Sequence, residues 1–501
     1  MDLRIGYERH YAELGRKTEA LYAALREAII GGQLTEATRL PSSRMLAGLY
    51  GMSRGSVNQV YDMLVAEGFV RAAAGSGTFV AYPASEIRAS LAEGEAISSP
   101  VSLSEWAQRL KPVAIPQVVE PQKSSLTCAQ EQVNIQEISF DINRVDSTLF
   151  PVEEWKTSLF NEVREMLEPW PIRGASIEGY LPLREAIISD LRRERGIHAE
   201  LSQLFITNGS MQAIALLSML LVSPGSTVVV ENPGYPGTWR AVDAAGGNVL
   251  TASVDDSGIK PQDWDAQLLF VTPTRQFPSG AVLSTSRRLE LLDWASRRRA
   301  VIVEDDYDSE LRWGGRPVEP LKALDRENRV VYVGTFSNTM FVNLRIGYVV
   351  LPESLVESFR RAKSLMEPQP SGLTEQRALA HFMRSGSYAR HLRRMRRVCG
   401  RRLIRFREEM KRMERWFRFV PADAGLHMYA QWRGDRDEYF SFKEACQAEG
   451  VSWSDGSRFW FGEPNFHTAL FGFAHLDEEQ IQAGVDRMAT AALKWAGESR
   501  H

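Results

Sequence analysis

Ala300-Val301-Ile302-Val303-Glu304-Asp305-Asp306-Tyr307 decides how the larger part of this chain is read. Four apolar, β-prone residues in a row, without polar alternation, describe a strand buried on both faces, as the strands of parallel sheets are. Phe205-Ile206-Thr207, Thr227-Val228-Val229-Val230-Glu231, Leu268-Leu269-Phe270-Val271 and Val330-Val331-Tyr332-Val333 repeat that pattern. Helical periodicity fills the intervals, for instance over 211–221 and 286–295. From about residue 138 the chain therefore reads as α/β, with a mostly parallel central sheet. Residues 425–428 and 470–474 look like strands of a smaller C-terminal α+β domain. The expected boundaries are 138–370 for the large domain and 371–501 for the small one.

At 501 residues the chain has room for two or three domains with full cores. Its 44% hydrophobic and 25% charged residues are ordinary globular usage. No apolar run approaches the ~18 residues of a membrane span, and residues 1–8 lack the apolar stretch of a secretory signal. Cys128, Cys399 and Cys446 form no CxxC pair and fit a reducing compartment, so a cytoplasmic location is expected. A net charge of −3 argues against indiscriminate nucleic-acid binding and leaves room for a local basic surface.

The first eighty residues carry such a surface. Leu21, Leu25, Ala28 and Ile29 mark one face of a helix that stops at Gly31-Gly32. Ser42 or Ser43 can cap a second helix carrying Met45, Leu46 and Leu49. Ser53 caps a third, running to about Glu67, with Val57, Val60, Tyr61 and Leu64 inward. Residues 69–71, 75–77 and 78–80 read as strand, turn and strand. Helix–turn–helix plus hairpin is a winged helix, whose third helix enters the major groove. Arg44 and Arg54 offer planar forks to phosphates or guanine edges, and Ser53 and Ser56 can bond phosphate at a helix start. The plainer alternative is a helical interaction module with ordinary surface arginines. From about 83 to 137, Ser, Pro, Gln and Glu dominate and suggest a semi-extended linker. Residues 103–110 alone are amphipathic enough for a helix docked on the next domain.

Arg39-Leu40-Pro41-Ser42-Ser43-Arg44, Gly51-Met52-Ser53-Arg54 and Gly75-Ser76-Gly77-Thr78-Phe79-Val80 resemble the GntR family of bacterial regulators across the module 12–82. The resemblance implies double-stranded operator DNA as partner, with contacts at Arg39, Arg44, Ser53, Arg54, Ser56 and Asn58 and with Gly77 at the wing tip.

Five further landmarks, at 179–184, 207–213, 233–237, 272–280 and 304–310, resemble fold-type I aminotransferases, and more closely the effector domain of MocR-type regulators. That resemblance implies a pyridoxal phosphate (PLP) pocket. Asp305 would face the pyridinium nitrogen, Tyr307 the 3-oxygen and Tyr235 the ring face. Ser337, Arg345 and the helix opening at Ser210-Met211 would take the phosphate. The plainer alternatives are a helix-capping or turn carboxylate for Asp305 and a salt bridge inside the subunit for Arg345. Departures accompany the likeness. Asn338 stands where the family keeps the lysine of the internal aldimine, and a carboxamide cannot form one. Gly174 and Ile177 replace a tyrosine and a proline, Arg275 a histidine, and Val342 and Asn343 a Pro-Gly pair. Leu470 lies where working enzymes keep the arginine for the substrate carboxylate. A working PLP enzyme would need an amine from elsewhere. The expectation is therefore a catalytically dead effector and dimerisation domain in a head-to-tail homodimer, without covalent PLP. Such a pocket binds another small effector or serves dimerisation only; the alternative is that PLP, or a related vitamin B6 or amino-acid ligand, still binds non-covalently. The basic run 389–402 reads as a solvated helix face, with a second DNA-steering surface as the sharper option. His427 reads as a core or rim histidine.

Overall fold

A computed structural model describes residues 6–73, 76–83, 104–110, 137–142, 144, 146–166, 176–312, 318–421 and 423–498. Two compact units emerge, Met1–Ser102 and Leu103–His501. Gly75, Gly174 and most of the expected linker lie outside the described residues.

The first unit contains α1 (Tyr7–Leu14), α2 (Lys17–Ile30), α3 (Ser43–Leu49) and α4 (Arg54–Ala66), then β1 (Val70–Ala73) and β2 (Gly77–Val80). Ser42 and Ser53 accept hydrogen bonds from the backbone N–H of Met45 and Ser56 at 3.3 and 3.0 Å, which caps α3 and α4. Leu25, Ile29, Val57, Val60 and Leu64 are fully buried between α2 and α4. Helix α1 was not expected, because its charges mask a short apolar edge. Tyr7 on that edge is buried, with its ring 4.3 Å from that of Tyr50. The module thus begins by residue 7, not 12. On α3 only Leu46 of the three expected apolar residues reaches the core; Met45 and Leu49 are 63% and 62% exposed.

The second unit holds an eight-stranded sheet in the order β4-β11-β10-β9-β8-β5-β6-β7. Its strands are β4 (Leu204–Thr207), β5 (Thr227–Asn232), β6 (Asn248–Asp255), β7 (Gly258–Ile259), β8 (Leu268–Val271), β9 (Val301–Asp306), β10 (Val330–Thr335) and β11 (Gly347–Val350). The pairs β6–β5–β8–β9–β10 are parallel, while β11 runs antiparallel to both neighbours. Every residue of β4, β8, β10 and β11 is buried, as the apolar runs require.

A five-stranded sheet, ordered β12-β13-β15-β14-β3, forms the smaller layer. Here β12 (Phe417–Phe419), β13 (His427–Trp432), β15 (Thr468–Gly472) and β14 (Val451–Asp455) are joined by β3 (Ile138–Phe140), parallel to β14. The strand that opens the expected large domain thus completes the small one. The boundary at 371 also moves. Ala378, Leu379, Phe382, Tyr388 and Leu392 pack with Leu183, Ile187 and Tyr332, and the small-domain core begins at Cys399, midway along helix Ser387–Met410. Helix Glu105–Arg109 docks on helix Pro236–Ala245, where Arg109 Nε donates to the Ala244 carbonyl at 3.3 Å.

Candidate functional site

In the first unit, Arg54 and Asn58 are exposed and four apart on α4, hence on one face, and Arg44 is exposed at the start of α3. The Ser53 and Ser56 hydroxyls lie 2.9 Å apart and serve the cap of α4 as well as facing outward. Gly77 opens β2 with φ +117°, and a Cβ there would stand 2.9 Å from Arg39 Nε. The positive φ favours glycine, and the bare backbone lets the Arg39 guanidinium lie against the wing. The seven expected residues thus lie at the starts of α3 and α4 and along the wing.

In the second unit the expected pocket residues gather at the carboxyl ends of the parallel strands, where open α/β sheets bind ligands. Asp305 is the penultimate residue of β9, and Tyr235 follows β5 as the N-cap of helix 236–245. Ser337 and Asn338 follow β10, and Ser210-Met211 open the helix after β4. Antiparallel β11 sets Gly347 opposite Thr207, and its backbone presses on Gly209 and Ser210. That contact swings Arg345, left-handed at φ +52°, over Gly209; its Nη2 would stand 2.8 Å from a Cβ there and donates to the Asn208 carbonyl at 3.2 Å. A guanidinium beside a helix N-terminus makes an anion cradle. Ser337 has its hydroxyl 3.0 Å from that of Thr335.

Asp305 Oδ1 is buried and, among the described residues, has no hydrogen-bond partner. Burial, then repulsion from Asp306 and Asp308, pushes its pKa up to about 7. Asp305 lines a small cavity with Glu231, Thr272, Tyr235 and Trp239. Glu231 accepts from the Thr272 N–H and hydroxyl at 3.1 and 2.5 Å, and burial raises its pKa to about 8. A cation or N–H donor would satisfy the orphaned oxygen of Asp305.

A residue noted in the sequence only as a departure ties Tyr307 and Asp308 to the strand of His427. Arg275, 2% exposed, donates through Nη1 to the Tyr307 hydroxyl at 2.8 Å and to Asp308 at 2.9 Å, and through Nη2 to the His427 carbonyl at 2.9 Å. The Tyr307 oxygen accepts from Arg275 and keeps its O–H to donate. His427 is buried, held neutral by burial and by Arg275, and donates through Nε2 to the Pro278 carbonyl at 3.1 Å. It is a core residue, as expected. Asn338 Nδ2 donates to the Tyr307 carbonyl at 3.0 Å. Its loop is clamped by helix 387–410, through His391 Nε2 to the Thr339 carbonyl at 2.7 Å and the Tyr388 hydroxyl to Thr339 Oγ1 at 3.0 Å.

The lysines that flank residue 338 in sequence are committed elsewhere. Lys322 Nζ donates to the Val330 carbonyl at 2.7 Å, at the far end of β10, and Lys363 pairs with Glu367 at 3.0 Å. Leu470 is fully buried in an apolar cluster with Val420, Tyr429 and Phe459, against Phe277. Ile177 is partly buried and Val342 is 47% exposed. Among the described residues no His/Cys/Asp/Glu group could hold a metal ion, and no helix is long and apolar enough to cross a membrane.

Known proteins match both units. The family described as "Bacterial regulatory proteins, gntR family" matches residues 17–80, and "Aminotransferase class I and II" matches residues 172–488. The chain is 34% identical over 483 residues to "Probable rhizopine catabolism regulatory protein MocR" of Rhizobium meliloti, covering 94% of this chain and 93% of that one. It is 29% identical over 460 residues to "HTH-type pyridoxine biosynthesis transcriptional regulator PdxR" of Corynebacterium glutamicum, covering 91% and 92%. An archaeal alanine:glyoxylate aminotransferase shares the fold, with a TM-score of 0.68 at 22% identity over 78% of this chain and 98% of that one. A gntR-type winged helix, an aminotransferase fold and end-to-end regulatory relatives leave one conclusion: the chain belongs to the MocR-type branch of the GntR family of DNA-binding transcriptional regulators.

Proposed function

We propose that this regulator reads operator DNA through Arg39, Arg44, Ser53, Arg54, Ser56, Asn58 and Gly77, and that its aminotransferase-like domain has given up covalent PLP chemistry for effector sensing and dimerisation. Asn338 carries this reading. Its nitrogen is an amide, delocalised and bonded to the Tyr307 carbonyl, so it can neither anchor a carbonyl cofactor nor move a proton. The apolar burial of Leu470 agrees with it, since a substrate carboxylate finds no guanidinium at that position.

A second reading rests on the unpartnered Asp305 oxygen and on Arg345 at Gly209. PLP or a related ligand would be held without a covalent bond, its ring nitrogen by Asp305, its phosphate by Arg345, Ser210 and Ser337, and its face by Tyr235. When bound, PLP supplies an electron sink for amino-acid chemistry. Met211 would only line the phosphate end.

The DNA half is tested by footprinting the full-length protein on the sequence flanking its own gene. Protection should appear for the native chain and vanish for Arg54→Ala. Protection unchanged by Arg54→Ala would remove α4 as the reading helix.

A further inference from the structure

Helix Ser387–Met410 has two unlike faces. Leu392, Met395, Cys399, Leu403 and Phe406 are buried beneath it, while Arg390, Arg393, Arg394, Arg397 and Arg401 are exposed. Steps of three and four residues put these five guanidiniums on one stripe, about 16 Å long at 1.5 Å per residue. Arg401 approaches Glu478 at 3.8 Å, and Arg390 donates to the Ser387 hydroxyl at 2.7 Å. Among the described residues, no ion pair or hydrogen bond engages the side chains of Arg393, Arg394 or Arg397. Other surface arginines have carboxylates: Arg297 and Arg298 pair with Asp263 at 2.8 Å each, and Arg361 with Glu357 at 2.9 Å. The acids beside Arg396 on the same helix are already taken, Asp190 by Arg193 at 2.5 Å and Glu310 by Arg195 at 3.4 Å. Three adjacent uncompensated cations on a rigid helix, in a chain of net charge −3, mark a surface kept for a polyanion.

We propose that this stripe is a second docking surface for duplex DNA, contacting the phosphate backbone without reading sequence. The proposal rests on the DNA-binding reading above and extends it to the second unit. A duplex presents a dense array of phosphates, one per about 3.4 Å of axis on each strand, so a stripe of about 16 Å is long enough to meet two or three of them. Arginine suits them through its fork of donors. An anionic membrane fits less well, because the apolar face of this helix is already spent on the protein core.

The test uses full-length protein and a random-sequence duplex, followed by fluorescence anisotropy across a salt series. The triple variant Arg393→Gln/Arg394→Gln/Arg397→Gln should bind about tenfold or more weakly at low salt. Its slope of log K against log salt should shrink by about 2–3, at ~0.9 per lost phosphate contact. The matching Arg→Lys triple should keep most of the affinity, and equal thermal melting of the variants excludes a folding defect. Arg297→Gln/Arg298→Gln/Arg361→Gln, which removes the same charge from paired arginines, should bind as the native chain does.

Equal loss in that control, or no loss in the stripe variant, overturns the proposal. So does a stripe variant that loses binding to phosphatidylserine vesicles while keeping the duplex. Loss with Arg54→Ala and none with the stripe triple would refute this surface alone. Binding untouched by either would refute the DNA reading as well.

Discussion

Asn338 satisfies its own loop by donating to the Tyr307 carbonyl, and Arg275 engages the same tyrosine through its hydroxyl. Asn338→Lys restores an amine at the end of β10. That variant should gain a PLP adduct that borohydride fixes on residue 338, read as a mass increase. No adduct in the variant would mean that the cradle of Asp305 and Arg345 has also failed.

Asp305 yields a pH signature. Its folded pKa, about 7, lies above that of an unfolded carboxylate, so folding disfavours its charge. The protonated form is compatible with the fold at low pH, and stability is lost as pH rises from about 4 through 7. Asp305→Asn removes that loss. Relative to the native chain, the variant should gain roughly 2–4 kcal/mol between the two ends of that window, read by denaturant unfolding at each pH. A pH-independent difference would contradict the orphaned carboxylate. A bound cationic ring nitrogen should erase the difference.

At the level of elements, what the sequence disclosed depended on whether the partners were local. Strands β5, β8, β9 and β10 were legible because each is an unbroken apolar run, and α4 because Ser53 and its stripe lie within a dozen residues. The pairing of β3 with β14 joins Ile138 to Val451, and no local pattern announces it. Arg275 was visible as a departure, but its partners Tyr307, Asp308 and the His427 carbonyl are 32, 33 and 152 residues away. Its grip on the pocket is a product of the fold. Helix Glu105–Arg109 was expected to dock and does, with Arg109 set against the carboxyl end of helix 236–245, where a cation is favoured. Arg109→Ala should raise amide hydrogen exchange in residues 104–110 while the main thermal transition stays put. Unchanged exchange would mean that other contacts hold this helix.

As a whole molecule, the chain comprises a small unit and a large one, each with its own core. Leu64 is fully buried in the first. Leu64→Ala should cost that unit about 2–5 kcal/mol, lowering its calorimetric transition and leaving that of the larger unit in place. One merged transition, shifted as a whole, would show that the units unfold together. The proposed molecule is an aminotransferase frame that serves regulation without its covalent anchor. Adding PLP to the native full-length protein, recording its absorbance, and reducing with borohydride before mass analysis of the pocket peptides tests it most directly. No reducible adduct is expected at the pocket, whether or not a reversible, saturable spectral change marks non-covalent binding. A stoichiometric adduct fixed by borohydride on a pocket lysine would contradict it.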